Sequence, residues 1–303
     1  MSTLLITGGN GLLGFKLIQQ AAAAGHQVAA MSRQAPAYRD GSISGWHQVD
    51  LRYAAAVPRH IHQVRPDAIV HTAAMTNVDA CELHPEEAWE TNVTATDHVV
   101  RAAREVGAYL VLLSSDYVFS GEEGPYSEAD LPGPAGSVYG RTKLEAESLV
   151  LGQCPDAAVA RTSLLYGHAP HARPNFVTWL VENLRLGREA AVVTDQTGSP
   201  TLADNLAEMV LAMVSRRATG VYHAVGPEWI SRLEYAIRIA RSFGLDPRLL
   251  KPALSAELKQ PAPRPRHSGL IGDRVLSDLG VKPVGIDEGL ALVRQAMARV
   301  TPQ

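Results

Sequence analysis

Tyr139 and Lys143 stand four residues apart in Val138-Tyr139-Gly140-Arg141-Thr142-Lys143. On a helix, that spacing puts both side chains on one face, one turn apart. An ammonium so close to a phenol stabilises the phenolate. The tyrosine is therefore expected to release its proton below its ordinary pKa of about 10. A tyrosine tuned in this way serves as a general acid or base near neutral pH. Upstream, Tyr109-Leu110-Val111-Leu112-Leu113-Ser114-Ser115 reads as an apolar strand with hydroxyls at its tip. Ser115 is then placed to hydrogen-bond the same substrate oxygen. A tyrosine and lysine at this spacing arise by chance in many chains, so the pair takes its meaning from the elements around it.

Those elements begin at the N-terminus. Thr3-Leu4-Leu5-Ile6-Thr7 reads as a short buried strand, and Gly8-Gly9-Asn10-Gly11-Leu12-Leu13-Gly14 follows it. A helical pattern then runs to Ala24 and stops at Gly25. Strand, glycine turn and helix together make a pyrophosphate site, because small residues admit the phosphates and the helix N-terminus supplies amides. Gln27 to Arg33 forms a second strand and its end. A dinucleotide fold selective for NAD places an acid there for the ribose 2′-hydroxyl. This chain has Ser32 and Arg33 instead, and Asp40 lies beyond the turn. A guanidinium suits a 2′-phosphate, so the reading favours NADPH over NADH.

Trp46 to Leu51 reads as a third strand with Asp50 at its end, Ala54 to Val64 as a helix with Pro58 as a kink or first-turn residue, and Asp67 to His71 as a fourth strand. Small residues after it, Ala73, Ala74 and Thr76 among them, would let a flat cofactor lie against backbone. Glu86 to Val106 reads as one long helix carrying Asn92 and ended by Gly107. The Tyr139 helix starts near Gly136, and Ala157 to Arg161 is a sixth strand. Strands alternating with helices predict an α/β fold, a doubly wound parallel (Rossmann) sheet covered on both faces. Ligands then bind beyond the C-terminal ends of the strands, where Gly8, Ser32, Asp50, Ala74 and Ser115 all fall.

After Arg161 the rhythm loosens. Helices are expected at Asn175–Leu186, Leu202–Arg216, Ser231–Phe243 and Asp287–Val300, with strands at Ala190–Thr194 and Gly220–Ala224. Pro261 to His267 reads as a stiff polar loop. Residues 1–161 are expected to form the dinucleotide-binding domain, with returning segments from the second half, and residues 162–303 mainly a small substrate-binding lobe.

Composition agrees. The chain has 303 residues, 46% apolar and 19% charged, with a net charge of −3 and no basic stripe for nucleic acid. Its two cysteines, Cys81 and Cys154, are far apart, which excludes a disulfide scaffold and fits the cytoplasm. No run of 18 apolar residues suggests a membrane span. His60 and His62, the one His-x-His pair, point apart on a helix, so no metal site is expected.

The whole pattern resembles the extended short-chain dehydrogenase/reductases, and within them the dTDP-4-dehydrorhamnose reductases. The likeness runs nearly end to end. It rests on Thr7 to Gly14, Ala74 to Asp79, Ser114-Ser115-Asp116-Tyr117-Val118-Phe119, Tyr139 with Lys143, Arg161-Thr162-Ser163, Gly198 to Thr201 and Ala262-Pro263-Arg264-Pro265. The resemblance implies that Ser115 polarises a substrate carbonyl and Tyr139 donates the proton. Lys143 would lower the tyrosine pKa and bind the nicotinamide ribose. Gly8, Asn10, Gly11, Leu12, Leu13 and Gly14 would hold the pyrophosphate, Asp50 and Leu51 the adenine, and Ala73, Ala74 and Thr76 the nicotinamide side. Thr76, Asp116, Tyr117, Leu164, Asn175 and Arg264 would face a nucleotide-linked 4-keto-6-deoxy sugar. Two positions depart from the family: Leu164 replaces a tryptophan, and His267 an asparagine. The magnesium reported at a dimer contact in some members finds no carboxylate cluster here. The implied protein is a monomer or homodimer. A nucleotide-sugar epimerase or dehydratase, another carbonyl reductase, and a non-catalytic subunit like that of methionine adenosyltransferase remain open alternatives.

Overall fold

Leu4 and Ile6 alternate with Leu5 along β1 (Thr3–Thr7), and all three are fully buried, so the strand packs against apolar layers on both faces. A computed structural model, which describes residues 1–37 and 41–300 (backbone alone at residue 300), builds outward from it. The glycine turn leads to α1 (Leu12–Ala23), β2 (Gln27–Ser32), β3 (Gly45–Gln48), α2 (Ala56–Val64) and β4 (Ala68–His71). Short helices α3 (Val78–Leu83) and α4 (Pro85–Trp89) precede a π turn at Glu90–Thr94 and α5 (Ala95–Val106). Then come β5 (Tyr109–Ser115), α6 (Val138–Gln153) and β6 (Ala158–Thr162).

The second half begins with β7 (Leu165–Tyr166), α7 (Phe176–Arg185), β8 (Ala190–Val193), β9 (Thr197–Gly198) and β10 (Thr201–Leu202). It continues through α8 (Ala203–Arg216), β11 (Gly220–His223), β12 (Ile230–Ser231), α9 (Arg232–Ser242), β13 (Leu250–Ala253), α10 (Asp273–Leu279) and α11 (Ile286–Val300). The main sheet is parallel and seven-stranded, in the order β11-β6-β5-β4-β1-β2-β3. Chain order reverses between β1 and β4, which opens the crevice above Thr7 and His71 where such sheets bind ligands. One face is covered by α1 and α8, the other by α2, α5 and α6. A separate apolar cluster from α7, α9, α11 and β8 makes the lobe.

Three expectations are corrected here, and two elements are added. The third strand ends at Gln48, so Asp50 lies in the turn that follows. The single helix over 86–106 is instead α4, a π turn and α5, preceded by α3, which Asn77 caps through the amide of Ala80. Helix α6 starts at Val138, where the Ser137 hydroxyl accepts the Gly140 amide. Helix α10 and strand β13 lie in segments read only as lobe. Asp40 lies outside the described residues.

Candidate active site

The end of β5 and the first turn of α6 bring Ser115 close enough to Tyr139 that the serine favours its phenolate. Tyr139 is 8% exposed, Lys143 5%. The approach depends on Gly140: a Cβ there would sit 2.2 Å from the Tyr117 carbonyl oxygen, so only glycine lets α6 lie this close to the β5 tip. Tyr117 also packs its ring edge-on against Tyr139, centroids 5.5 Å apart. A Gly140→Ala variant is expected to push α6 outward, with a stability loss of about 1–3 kcal/mol. Turnover should fall on the order of 100-fold, the cost of roughly an ångström of misplacement. Stopped-flow rates alongside a denaturant melt check it, and unchanged turnover would refute the packing argument.

The charge arrangement differs from expectation. Lys143 Nζ donates to the Leu113 carbonyl at 2.5 Å, and burial pushes its pKa down to about 8. The Tyr139 phenol is pushed up, not down: burial disfavours the phenolate more than nearby Ser115 favours it, and Asp116 and Tyr117 add to the rise. In the protein alone the net shift is upward and keeps the phenol protonated, with burial outweighing the other influences.

Asp116 was expected on the sugar. It is instead 2% exposed and surrounded by hydroxyls. Ser115 donates to it at 2.8 Å, Ser163 at 2.9 Å and Ser268 at 2.5 Å. Burial raises its pKa while the three serines oppose that rise. One carboxylate thus joins the β5 tip, the segment after β6 and the Arg-Pro loop.

At the crevice, Gly8 has φ +74°, and a Cβ on Gly14 would lie 2.3 Å from the Gly8 carbonyl oxygen. The turn closes on itself through Gly11 N donating to Gly8 O at 2.8 Å. The amides of Leu12 and Leu13 donate to no acceptor among the described residues, as expected of a helix start that can take a phosphate. Asn10 is otherwise engaged: its side chain holds the Ala35 carbonyl and the Ala37 amide, both at 2.9 Å. Ser32 ends β2 half-buried and Arg33 follows it, exposed. Asp50 is paired with Arg52 at 2.7 Å, which holds its carboxyl below the ordinary range, and the buried Leu51 accepts from His98 through its carbonyl. Ala73 and Ala74 are half-buried and Thr76 is exposed at the crevice rim.

Sequence reading missed the supports beneath this rim. Asn92, in the π turn, accepts the Met75 amide at 2.7 Å and donates to Met75 O and to Thr142 Oγ1. It ties the 73–76 strip to the residue before Lys143. His71 is fully buried between Thr7 and Thr96 and pushed down to about 3, chiefly by burial and then by Lys143. Thr96 spends its proton on the Asn92 carbonyl, so His71 donates from Nε2 and accepts from Thr7 at Nδ1. Thr7 Oγ1 in turn accepts the amides of Thr72 and Ala73. The π turn was legible only as helix.

On the lobe side, Arg264 forms a two-pronged pair with Asp79, at 2.5 and 2.8 Å. Burial disfavours its charge, but Asp79 and Tyr117 together raise its pKa above the ordinary value. Asn175 spends its side chain capping α7 through the Val177 and Thr178 amides and bonding Gly167 O. Both residues expected on the substrate are thus structural ties in the protein alone. Leu164 sits at φ +45°, and a Cβ on Gly198 would lie 2.9 Å from its Cδ1. His267 bonds Thr197 and meets Trp229 edge-on. Trp89, Trp179 and Trp229 are 46%, 38% and 46% exposed. The described residues hold no cluster of metal-ligating side chains and no helix long and apolar enough to cross a membrane.

Comparison with known proteins gives the same picture. Residues 1–299 match the family model described as RmlD substrate binding domain. A dTDP-4-dehydrorhamnose reductase from Mycobacterium tuberculosis is 36% identical over 274 residues, 88% of this chain and 84% of that protein. Methionine adenosyltransferase 2 subunit beta from Bos taurus is 34% identical over 301 residues, 95% of this chain and 86% of that one. The crystal structure of dTDP-4-dehydrorhamnose reductase from Bacillus anthracis in complex with NADP superposes with a TM-score of 0.87 at 27% identity, covering 97% and 99% of the two chains. With a seven-stranded doubly wound sheet and a family match over nearly its whole length, the chain belongs to the RmlD substrate binding domain family, within the extended short-chain dehydrogenase/reductases.

Proposed function

We propose that this protein is an NADPH-dependent reductase of a nucleotide-linked 4-keto-6-deoxy sugar. The observation that carries the reading is the meeting of Ser115 with a protonated Tyr139 one turn from Lys143, beside a glycine turn with unpaired helix amides. The supporting relatives are reductases by name, and one is solved with NADP.

The cofactor supplies a hydride to the keto carbon when bound; the rest falls to this chain. Leu12 and Leu13 amides hold the pyrophosphate, and Ser32 with Arg33 takes the 2′-phosphate. The strip from Ala73 to Thr76, pinned by Asn92, supports the nicotinamide side. Tyr139 passes its proton to the substrate oxygen, so ketone, hydride and proton balance as alcohol. Ser115 orients that oxygen once its proton, held by Asp116 in the protein alone, turns to the ketone. The ammonium of Lys143 compensates the phenolate left behind, and Asp116 fixes the Ser115 hydroxyl. Residues 1–161 with α8 and β11 hold the dinucleotide, and the remainder of 162–303 chooses the sugar. The protein works in the cytoplasm as a monomer or homodimer.

The test follows NADPH absorbance with dTDP-4-dehydrorhamnose and related nucleotide keto sugars. Steady oxidation of NADPH with one of them is the expected result. NADPH binding with every keto sugar inert would reject the substrate assignment. The similarity to the methionine adenosyltransferase subunit supports a second reading, a non-catalytic partner. That reading requires co-purification with a larger enzyme whose activity is unaltered by Tyr139→Phe.

A further inference from the structure

Helix α3 has only six residues, yet its side chains reach three separate parts of the cleft. Cys81 Sγ donates to the Met75 carbonyl at 3.4 Å, which holds the helix to the strip proposed to support the nicotinamide. Glu82 accepts the backbone amide of Val138 at 2.9 Å, at the first residue of the helix that carries Tyr139 and Lys143. Asp79 reaches across to the lobe. One of its carboxyl oxygens accepts the Ala262 amide at 3.1 Å and an Arg264 donor at 2.5 Å, and the other accepts a second Arg264 donor at 2.8 Å. Arg264 also donates to the Ala262 carbonyl at 2.7 Å, so two residues of the loop close around one carboxylate.

That loop has little apolar anchorage. Residues 259–261, 263 and 266 are exposed, and Ala262, at Asp79, is buried. Pro261, Pro263 and Pro265 each fix a backbone φ, so a grip at Ala262 and Arg264 is carried along the chain rather than absorbed. At Pro265 the loop lies on Gly121, where a Cβ would sit 2.2 Å from the Pro265 Cβ, and the His267 amide donates to the Gly121 carbonyl at 2.8 Å. The next residue, Ser268, donates to Asp116 at 2.5 Å, and Asp116 holds the Ser115 proton. As a source of stability the Asp79–Arg264 pair is minor, because its carboxylate is 32% exposed. Three donors from one loop on one carboxylate instead fix the loop's register.

We propose that Asp79 is a positioning residue for the reduction: it sets the 261–268 loop on α3, and through Ser268 it sets how strongly Asp116 draws on Ser115. Helix α3 thereby gives both halves of the acid site a common reference. Glu82 fixes the start of the tyrosine helix, and Asp79 fixes the loop behind the serine. To act, Ser115 must turn its proton from Asp116 to the ketone. While Ser268 donates, the carboxylate keeps a strong partner and releases the Ser115 hydroxyl readily. With the loop adrift, Asp116 draws harder on Ser115 and the turn costs more. The inference rests on the proposed function for the reaction that Ser115 serves; the placement of the loop stands on its own bonds.

The test is a double-mutant cycle on the full chain, with NADPH and the nucleotide keto sugar that supports turnover. Asp79→Asn and Ser268→Ala should each lower kcat on the order of 10-fold, the effect of a displacement short of an ångström. Because both act through one contact, the double variant should fall by about the same factor rather than by about 100-fold. NADP+ affinity, read by calorimetry, should stay within about twofold. Asp79→Ser serves if the asparagine variant melts early. Losses that multiply would reduce Asp79 to a stabiliser of the fold, a raised KM with kcat intact would make it a binding residue, and a larger loss of NADP+ affinity would place it on the cofactor; each overturns the proposal. Crystal structures of wild type and Asp79→Asn give a readout without turnover. The Ser268–Asp116 hydrogen bond should open beyond about 3.5 Å in the variant, and a bond that keeps its length overturns the proposal. If no keto sugar is reduced, the reductase reading falls and the two crystal structures decide the positioning.

Discussion

Tyr139→Phe should lower kcat for keto-sugar reduction by about 10²- to 10⁴-fold, the range of a positioned general acid. NADPH affinity should change little, because the phenol oxygen is removed and the ring keeps its contact with Tyr117. The protonation state supports the size of the effect. Burial holds the phenol protonated well above neutral pH, which is the form a reduction needs. A pH dependence follows from Lys143, whose pKa is pushed down to about 8. Below that pH the ammonium compensates the forming phenolate; above it the amine does not. The alkaline limb of kcat should therefore lie near 8 and belong to the lysine, with the phenol ionising later. Lys143→Met should remove the limb as well as most of the rate. A phenylalanine variant that keeps more than about a tenth of wild-type kcat would sink the acid assignment, since the weakest general acids still contribute about 100-fold.

How much of this was legible in the sequence follows from what each residue must satisfy. Strands β1 and β5 showed as unbroken apolar runs because both of their faces are covered. Gly8 and Gly14 were conspicuous because the turn admits no Cβ. Tyr139 and Lys143 were found by type and spacing even though α6 has no clean apolar stripe. Its inner face buries Thr142, Lys143 and Glu147 along with Ala146 and Val150. What stayed hidden depends on partners far along the chain. Asp116 meets Ser163 and Ser268 at separations of 47 and 152 residues, and Arg264 meets Asp79 at 185. No local pattern marks such pairs, and the substrate roles of these residues came from the family resemblance alone. The Lys143 acceptor is a backbone carbonyl, which has no signature in sequence. Asn92 sits in a π turn whose residues read as ordinary helix, and its grip on Met75, 17 residues away, has no local mark in the sequence.

The buried pair Glu147–Arg161 is where the largest stability loss is expected. The two side chains are 3% and 4% exposed and meet two-pronged, at 2.7 Å and 3.0 Å. Arg161 also lies 5.0 Å from the Phe119 centroid and 3.4 Å from His223, whose pKa is pushed down to about 4 by burial and then by that guanidinium. The histidine is thus neutral at pH 7 and cannot replace the lost carboxylate, nor does it add a second charge. Glu147→Ala leaves a guanidinium buried without a counter-ion, which costs about 3–5 kcal/mol. Replacing both partners, Glu147→Leu with Arg161→Met, should cost much less than the single change, because no orphan charge remains. Urea unfolding of the three variants measures the coupling. The same pair reaches the catalytic face, since Glu147 is the group that favours the charged form of Lys143 against burial. Glu147→Gln should therefore move the alkaline limb of kcat below that of wild type, as the lysine loses its proton earlier. An unfolding midpoint equal to wild type in Glu147→Ala, with the limb unmoved in Glu147→Gln, would show that α6 holds its tyrosine and lysine without this pair.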